Sequence, residues 1–145
     1  MDFQNFTTEE QLTLVNMLQD FNVSVSLADG IGQDEEIKMS ASLYLIEHPS
    51  HILNDLVSLS NQVRESINNE NIAKNYLSIR LKANEILKKL PDDEWDKFMR
   101  SLIVWAKMIA QSDNNVTAQE AGLVCDYMSD LGYLNKDFII AFFLD

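Results

Sequence analysis

Carboxylates recur in this chain in a fixed pattern. Asp29-Gly30-Ile31-Gly32-Gln33-Asp34-Glu35-Glu36 has a counterpart in Asp113-Asn114-Asn115-Val116-Thr117-Ala118-Gln119-Glu120, with the same spacing from the leading Asp to the closing Glu. Asn114 stands where Gly30 does, as expected at a position that needs the left-handed conformation Gly and Asn tolerate best. If the fold brought the two loops together, their carboxylates would suit a hard cation such as Ca²⁺ or Mg²⁺. A structural role competes with that chemistry. Thr117-x-x-Glu120 reads as a capping box, Gln33-x-x-Glu36 as a weaker one, and Asp29 and Asp113 can bond the turn amides that follow them.

Asp113 to Glu120 also matches the second half of a calcium-binding EF-hand loop, apart from Asn114. Such a loop requires oxygen ligands at alternate positions upstream of the Asp. Those positions hold Leu27 and Val25 in the first copy and Gln111 and Ile109 in the second. Gly32 replaces the expected apolar residue as well, so a true EF-hand pair is excluded by its missing ligands.

The elements that must position these loops follow from apolar spacing. Thr7 and Thr8 with Glu9 and Glu10 start a helix that runs to about Ala28, with Leu14, Leu18, Phe21 and Val25 on its buried face. Val23-Ser24-Val25-Ser26 alternates like a strand but is too short and isolated to be one. Gly30 and Gly32 break the helix. A second spans about Gln33 to Glu47, carrying Ile37, Met39, Leu43, Tyr44 and Ile46, and stops before Pro49. Ser50 caps a third, about His51 to Ile67, with Ile52, Leu56, Leu59 and Val63 at helical spacing. Asn68-Asn69 marks a turn before a fourth, roughly Glu70 to Leu90, on which Lys82, Glu85, Lys88 and Lys89 form a solvated face.

Pro91 and Asp92 open a fifth helix whose Trp95, Phe98, Met99, Leu102, Ile103, Trp105, Met108 and Ile109 cover most of its circumference, which makes it central to the core. Thr117 starts a sixth that ends near Gly132, and Lys136 to Leu144 forms a last, very apolar segment. That segment either closes the bundle or docks on a second subunit or partner. A constant offset aligns Leu14 with Phe98, Leu18 with Leu102, Phe21 with Trp105 and Val25 with Ile109. Beyond the signature it aligns Met39 with Leu123, Leu43 with Tyr127 and Tyr44 with Met128. The expected fold is an all-α single compact bundle of about seven helices over residues 1–145, with an internal pseudo-twofold repeat relating approximately 8–67 to 91–144.

Composition narrows the function. A chain of 145 residues with 46% apolar content can bury one continuous core. The formal charge of -12 disfavours direct nucleic-acid and anionic-membrane binding and favours cationic partners or metal ions. No apolar run approaches the roughly 20 residues of a membrane span, and Met1-Asp2-Phe3-Gln4-Asn5 lacks signal-peptide character, so a cytoplasmic location is expected. Cys125 is the single cysteine, which rules out an intrachain disulfide and a multi-thiolate site; Leu123, Val124 and Tyr127 around it point to a packed thiol. His48 and His51 are spaced for one helical face, but Pro49 interrupts the helix between them. No nucleophile elbow, P-loop or dinucleotide fingerprint occurs, and catalysis is the weaker expectation.

Ala28-Asp29-Gly30 followed by Glu36, Ser112-Asp113-Asn114 followed by Glu120, and the duplicated helical layout resemble the TerB-like tellurite-resistance family over most of the chain. Gly32 and Asn114 depart from that family's usual apolar and glycine positions. The resemblance implies an all-helical domain linked to tellurite or other stress responses, with acidic residues in metal interaction and no established catalytic activity. Carried over position by position, the metal candidates are Asp29, Glu36, Asp113 and Glu120, with Asp34 and Glu35 as outer contributors. The leading expectation is a non-enzymatic module with a protein partner and a divalent cation. The alternative is an acidic adaptor or inhibitor that engages a basic protein surface, as a nucleic-acid mimic would. An enzyme, the third possibility, would need a concave pocket with convergent polar groups.

Overall fold

The computed structural model describes residues 1–26, 50–111 and 118–144. Among them the regular structure is helical, with seven α-helices: α1 Thr8–Ser26, α2 His51–Gln62, α3 Asn69–Lys74, α4 Tyr76–Leu87, α5 Asp92–Gln111, α6 Ala118–Asp130 and α7 Lys136–Leu144. Short 3₁₀ turns occupy Phe3–Asn5 and Arg64–Ser66. The all-α expectation holds. The expected helix over about 33–47, with Ile37, Met39, Leu43, Tyr44 and Ile46, lies outside the described residues.

Helix α1 begins where Thr7 and Glu10 satisfy each other. The Glu10 amide donates to Thr7 Oγ1 at 3.1 Å, and the Thr7 amide donates to Glu10 Oε1 at 2.9 Å, a complete capping box. Leu14, Leu18, Phe21 and Val25 are buried as their spacing predicts, and the Val23–Ser26 stretch is helical. Ser50 caps α2 by accepting the Leu53 amide.

Two expected helices differ. The expected third helix, about 51–67, ends at Gln62, because Val63 turns out of helical geometry (φ -102°, ψ 13°) and the Ser66 hydroxyl donates to its carbonyl at 2.7 Å. The expected continuous fourth helix is two helices, with Asn75 at the break (φ -120°, ψ 21°). There the Asn75 side-chain amide donates to the Asn71 carbonyl at 2.9 Å and to Asn71 Oδ1 at 3.0 Å, the local competition with the helical ladder that makes Asn a poor interior residue. Asn68 caps α3 by accepting the Asn71 amide at 3.0 Å.

One hydrophobic cluster unites the helices. Helix α5 runs through it with Phe98, Met99, Leu102, Ile103, Trp105, Ala106 and Ile109 all buried, so its wrap-around apolar pattern does mark a central helix. Helix α1 packs chiefly on α4, and α6 chiefly on α7. Gly132 ends the α6 segment at φ 98°, a conformation that side chains bearing a Cβ resist; an added Cβ would also sit 3.0 Å from Asn84 Oδ1.

The apolar last segment closes the bundle. Ile139 and Phe143 are buried, Phe138 stacks on Phe142 with centroids 5.9 Å apart, and Arg100 and Lys107 lie over those two rings. Lys107 Nζ also donates to the Phe142 carbonyl at 2.6 Å, near the α7 C-terminus where a cation is favoured. No helix among the described residues is long and apolar enough to cross a membrane.

Candidate functional site

Of the sequence-derived metal candidates, Asp29, Glu36 and Asp113 lie outside the described residues, as do the outer contributors Asp34 and Glu35 and the histidine His48. Glu120 is placed: it sits in the first turn of α6, 1% exposed. Its capping partner, Thr117, is outside the described residues. Among the described residues no group of three or more His, Cys, Asp or Glu side chains is arranged to hold a metal ion. Of the four candidate carboxylates, Glu120 alone falls among the described residues. His51 is exposed at the start of α2. Cys125 is a packed thiol, its Sγ 3.9 Å from the Lys136 carbonyl, and burial pushes its pKa up, which keeps it protonated and unreactive.

The polar centre that the structure does assemble joins α1, α4 and α6. Arg80 Nε donates to Asp20 Oδ2 at 2.8 Å, and Nη1 donates to Asp130 Oδ2 at 3.1 Å. Nη2 reaches Ser24 Oγ at 3.4 Å. The Tyr127 hydroxyl lies 2.5 Å from Asp20 Oδ2 and 3.0 Å from the Met17 carbonyl, with one proton to share between these acceptors; the shorter distance and the negative charge favour Asp20. The guanidinium is sandwiched by aromatic faces, 4.0 Å from the Tyr127 centroid and 4.7 Å from that of Tyr76. Phe21 meets Tyr127 edge to face at 5.1 Å.

Arg80 and Asp20 are only 15% and 10% exposed at their side chains, so each needs the other. Burial opposes the Arg80 charge, yet the hydrogen bond to Asp20 and its neighbours' negative character outweigh it and raise the Arg80 pKa. For Tyr127, burial first and then the Asp20 charge drive the phenol far above its ordinary value, so it serves as a permanent donor. Asn84 adds a further tie by donating to the Asp130 carbonyl at 3.2 Å. A polar cavity of about 400 Å³ opens beside this cluster, with Ser24, Arg80, Gly122 and Asp126 on its wall. Arg80 faces it with three of its five N–H donors engaged by Asp20, Asp130 and Ser24.

A second feature lies on the next row of α4. Leu77 and Leu81 are 48% and 50% exposed, and with Ile86 they form the floor of an open groove of about 690 Å³ between α4 and the first turns of α1. Glu9, Glu10 and Thr13 line it from α1, and Ser78, Lys82 and Glu85 from α4. Glu10 reaches across to an ion pair with Lys89, while Glu85 pairs with Lys88 at 2.9 Å. The Lys89 ammonium first, and then the Thr7 amide, hold the Glu10 carboxyl below the ordinary glutamate range.

Neither feature was singled out from the sequence. Asp20 does carry a signal, since it falls between Met17 and Phe21 on the buried face of α1, where a lone acid demands a partner. The four-residue ladder Tyr76, Arg80, Asn84 beside the ladder Leu77, Leu81, Glu85 is legible in the helical spacing of the sequence, but nothing local says which of the two rows faces α1 and α6. No family model matches the chain, and neither a curated protein nor a solved structure matches it.

Proposed function

We propose that this chain is a non-enzymatic helical binding module that works by protein contact, in the manner its TerB-like resemblance implies: as a component of a stress or tellurite-resistance complex. The observation that carries the binding role is the α1–α4 groove. Half-exposed leucines at helical spacing on a soluble surface are costly to leave in water and mark a contact site when they line a concavity. The groove's walls are held at both ends, by Arg80–Asp20 at one and Lys89–Glu10 at the other. A surface held in this way loses little conformational freedom on docking. The related halves and the divalent-cation site at Asp29, Glu36, Asp113 and Glu120 belong to the same proposal and rest on the repeated signature.

Two titrations test it. A synthetic amphipathic helix of leucines and lysines serves as the groove probe, against the parent and Leu77→Glu/Leu81→Glu. The paired substitution makes an acidic protein more acidic, so attraction of lysines by charge alone would tighten binding, whereas docking in the groove predicts weaker binding. Tighter or unchanged binding would refute the groove. For the metal site, metal-free protein is titrated calorimetrically with Ca²⁺, Mg²⁺, Mn²⁺ and Zn²⁺, then repeated with Asp29→Asn and Asp113→Asn. Heat that disappears in the variants supports the signature carboxylates as ligands, and an absence of heat removes them.

The second function, an acidic adaptor or inhibitor of a basic protein, is favoured by the charge of -12. It predicts affinity that falls steeply with added salt. Groove docking through leucines predicts a shallow dependence.

A further inference from the structure

We draw no further inference here: the strongest candidate, the polar cavity beside Arg80 between α1, α4 and α6, faces a guanidinium charge already matched by Asp20 and Asp130 and carries the further acid Asp126 on its wall, and nothing in the structure shows what would occupy it.

Discussion

Two adjacent rows of α4 reverse the usual distribution of polarity. Arg80 and Asn84 face inward and place a charge among α1 and α6, with the half-exposed Tyr76 ring laid over the guanidinium, while Leu77 and Leu81, one position further along, face outward and leave apolar carbon in water. The inward charge is tolerated because its donors are matched to Asp20, Asp130 and Ser24 and its faces are covered by Tyr76 and Tyr127. Such a pair contributes geometry more than net stability. Among the described residues the outward leucines have no such compensation. The contrast separates the row that holds α4, which is polar, from the row on which the proposed docking role rests, which is apolar.

Breaking the polar row should have the largest effect. Arg80→Met leaves Asp20 buried beside Tyr127 without its cation, and we expect a loss of about 3 kcal/mol in chemical denaturation. A loss within about 1 kcal/mol would mean that solvent reaches Asp20 freely.

Tyr127→Phe comes next. It removes the hydroxyl shared by Asp20 and Met17 and should cost about 1–2 kcal/mol at neutral pH. It also sharpens a pH dependence. The folded phenol titrates far above its unfolded value of about 10. Its contribution is therefore fully present below about pH 10 and is lost as pH rises beyond it, once the unfolded chain gains by ionising. The parent should lose stability on that alkaline side more steeply than Tyr127→Phe; equal slopes would place the tyrosine outside the network.

A smaller effect is expected at the other end of the groove. Glu10 has its carboxyl pKa lowered, so its contribution is present above the ordinary glutamate range and is lost as pH falls through and below it. Glu10→Gln should flatten the acid limb of a stability-versus-pH curve in that window. An unchanged limb would show that the Lys89 and Thr7 contacts do not persist in solution. Smallest of all, Leu77→Glu/Leu81→Glu should change monomer stability by no more than about 0.5 kcal/mol, as for other exposed positions, despite its effect on docking. A large loss in a melt would place these leucines in the core instead.

Much of the scaffold was legible in the sequence. The spacing of Leu14, Leu18, Phe21 and Val25, the all-round apolar character of α5, the Ser50 cap and the span from Lys136 to Leu144 each appear as read, because local periodicity and capping act over a few residues. What the sequence hid is non-local. Asp20, Arg80 and Asp130 are far apart along the chain and meet only because α1, α4 and α6 converge. The break at Asn75 depends on a side-chain bond to Asn71 that composition does not announce. The acidic signature was the most conspicuous sequence feature, yet its only described candidate ligand, Glu120, is buried in the first turn of α6.

In the proposed docking role, the inward row of α4 fixes the outward row as the binding surface. The most direct measurement is the affinity of the leucine–lysine helix for Arg80→Met, taken well below that variant's melting temperature with its near-ultraviolet circular dichroism intact. Removing a positive charge from the protein should by electrostatics alone favour a cationic probe. We predict the opposite, binding several-fold weaker than to the parent, because α4 keeps only the Lys89–Glu10 tie to α1 and loses the one at the other end of the groove. Affinity equal to or tighter than the parent's would contradict the claim.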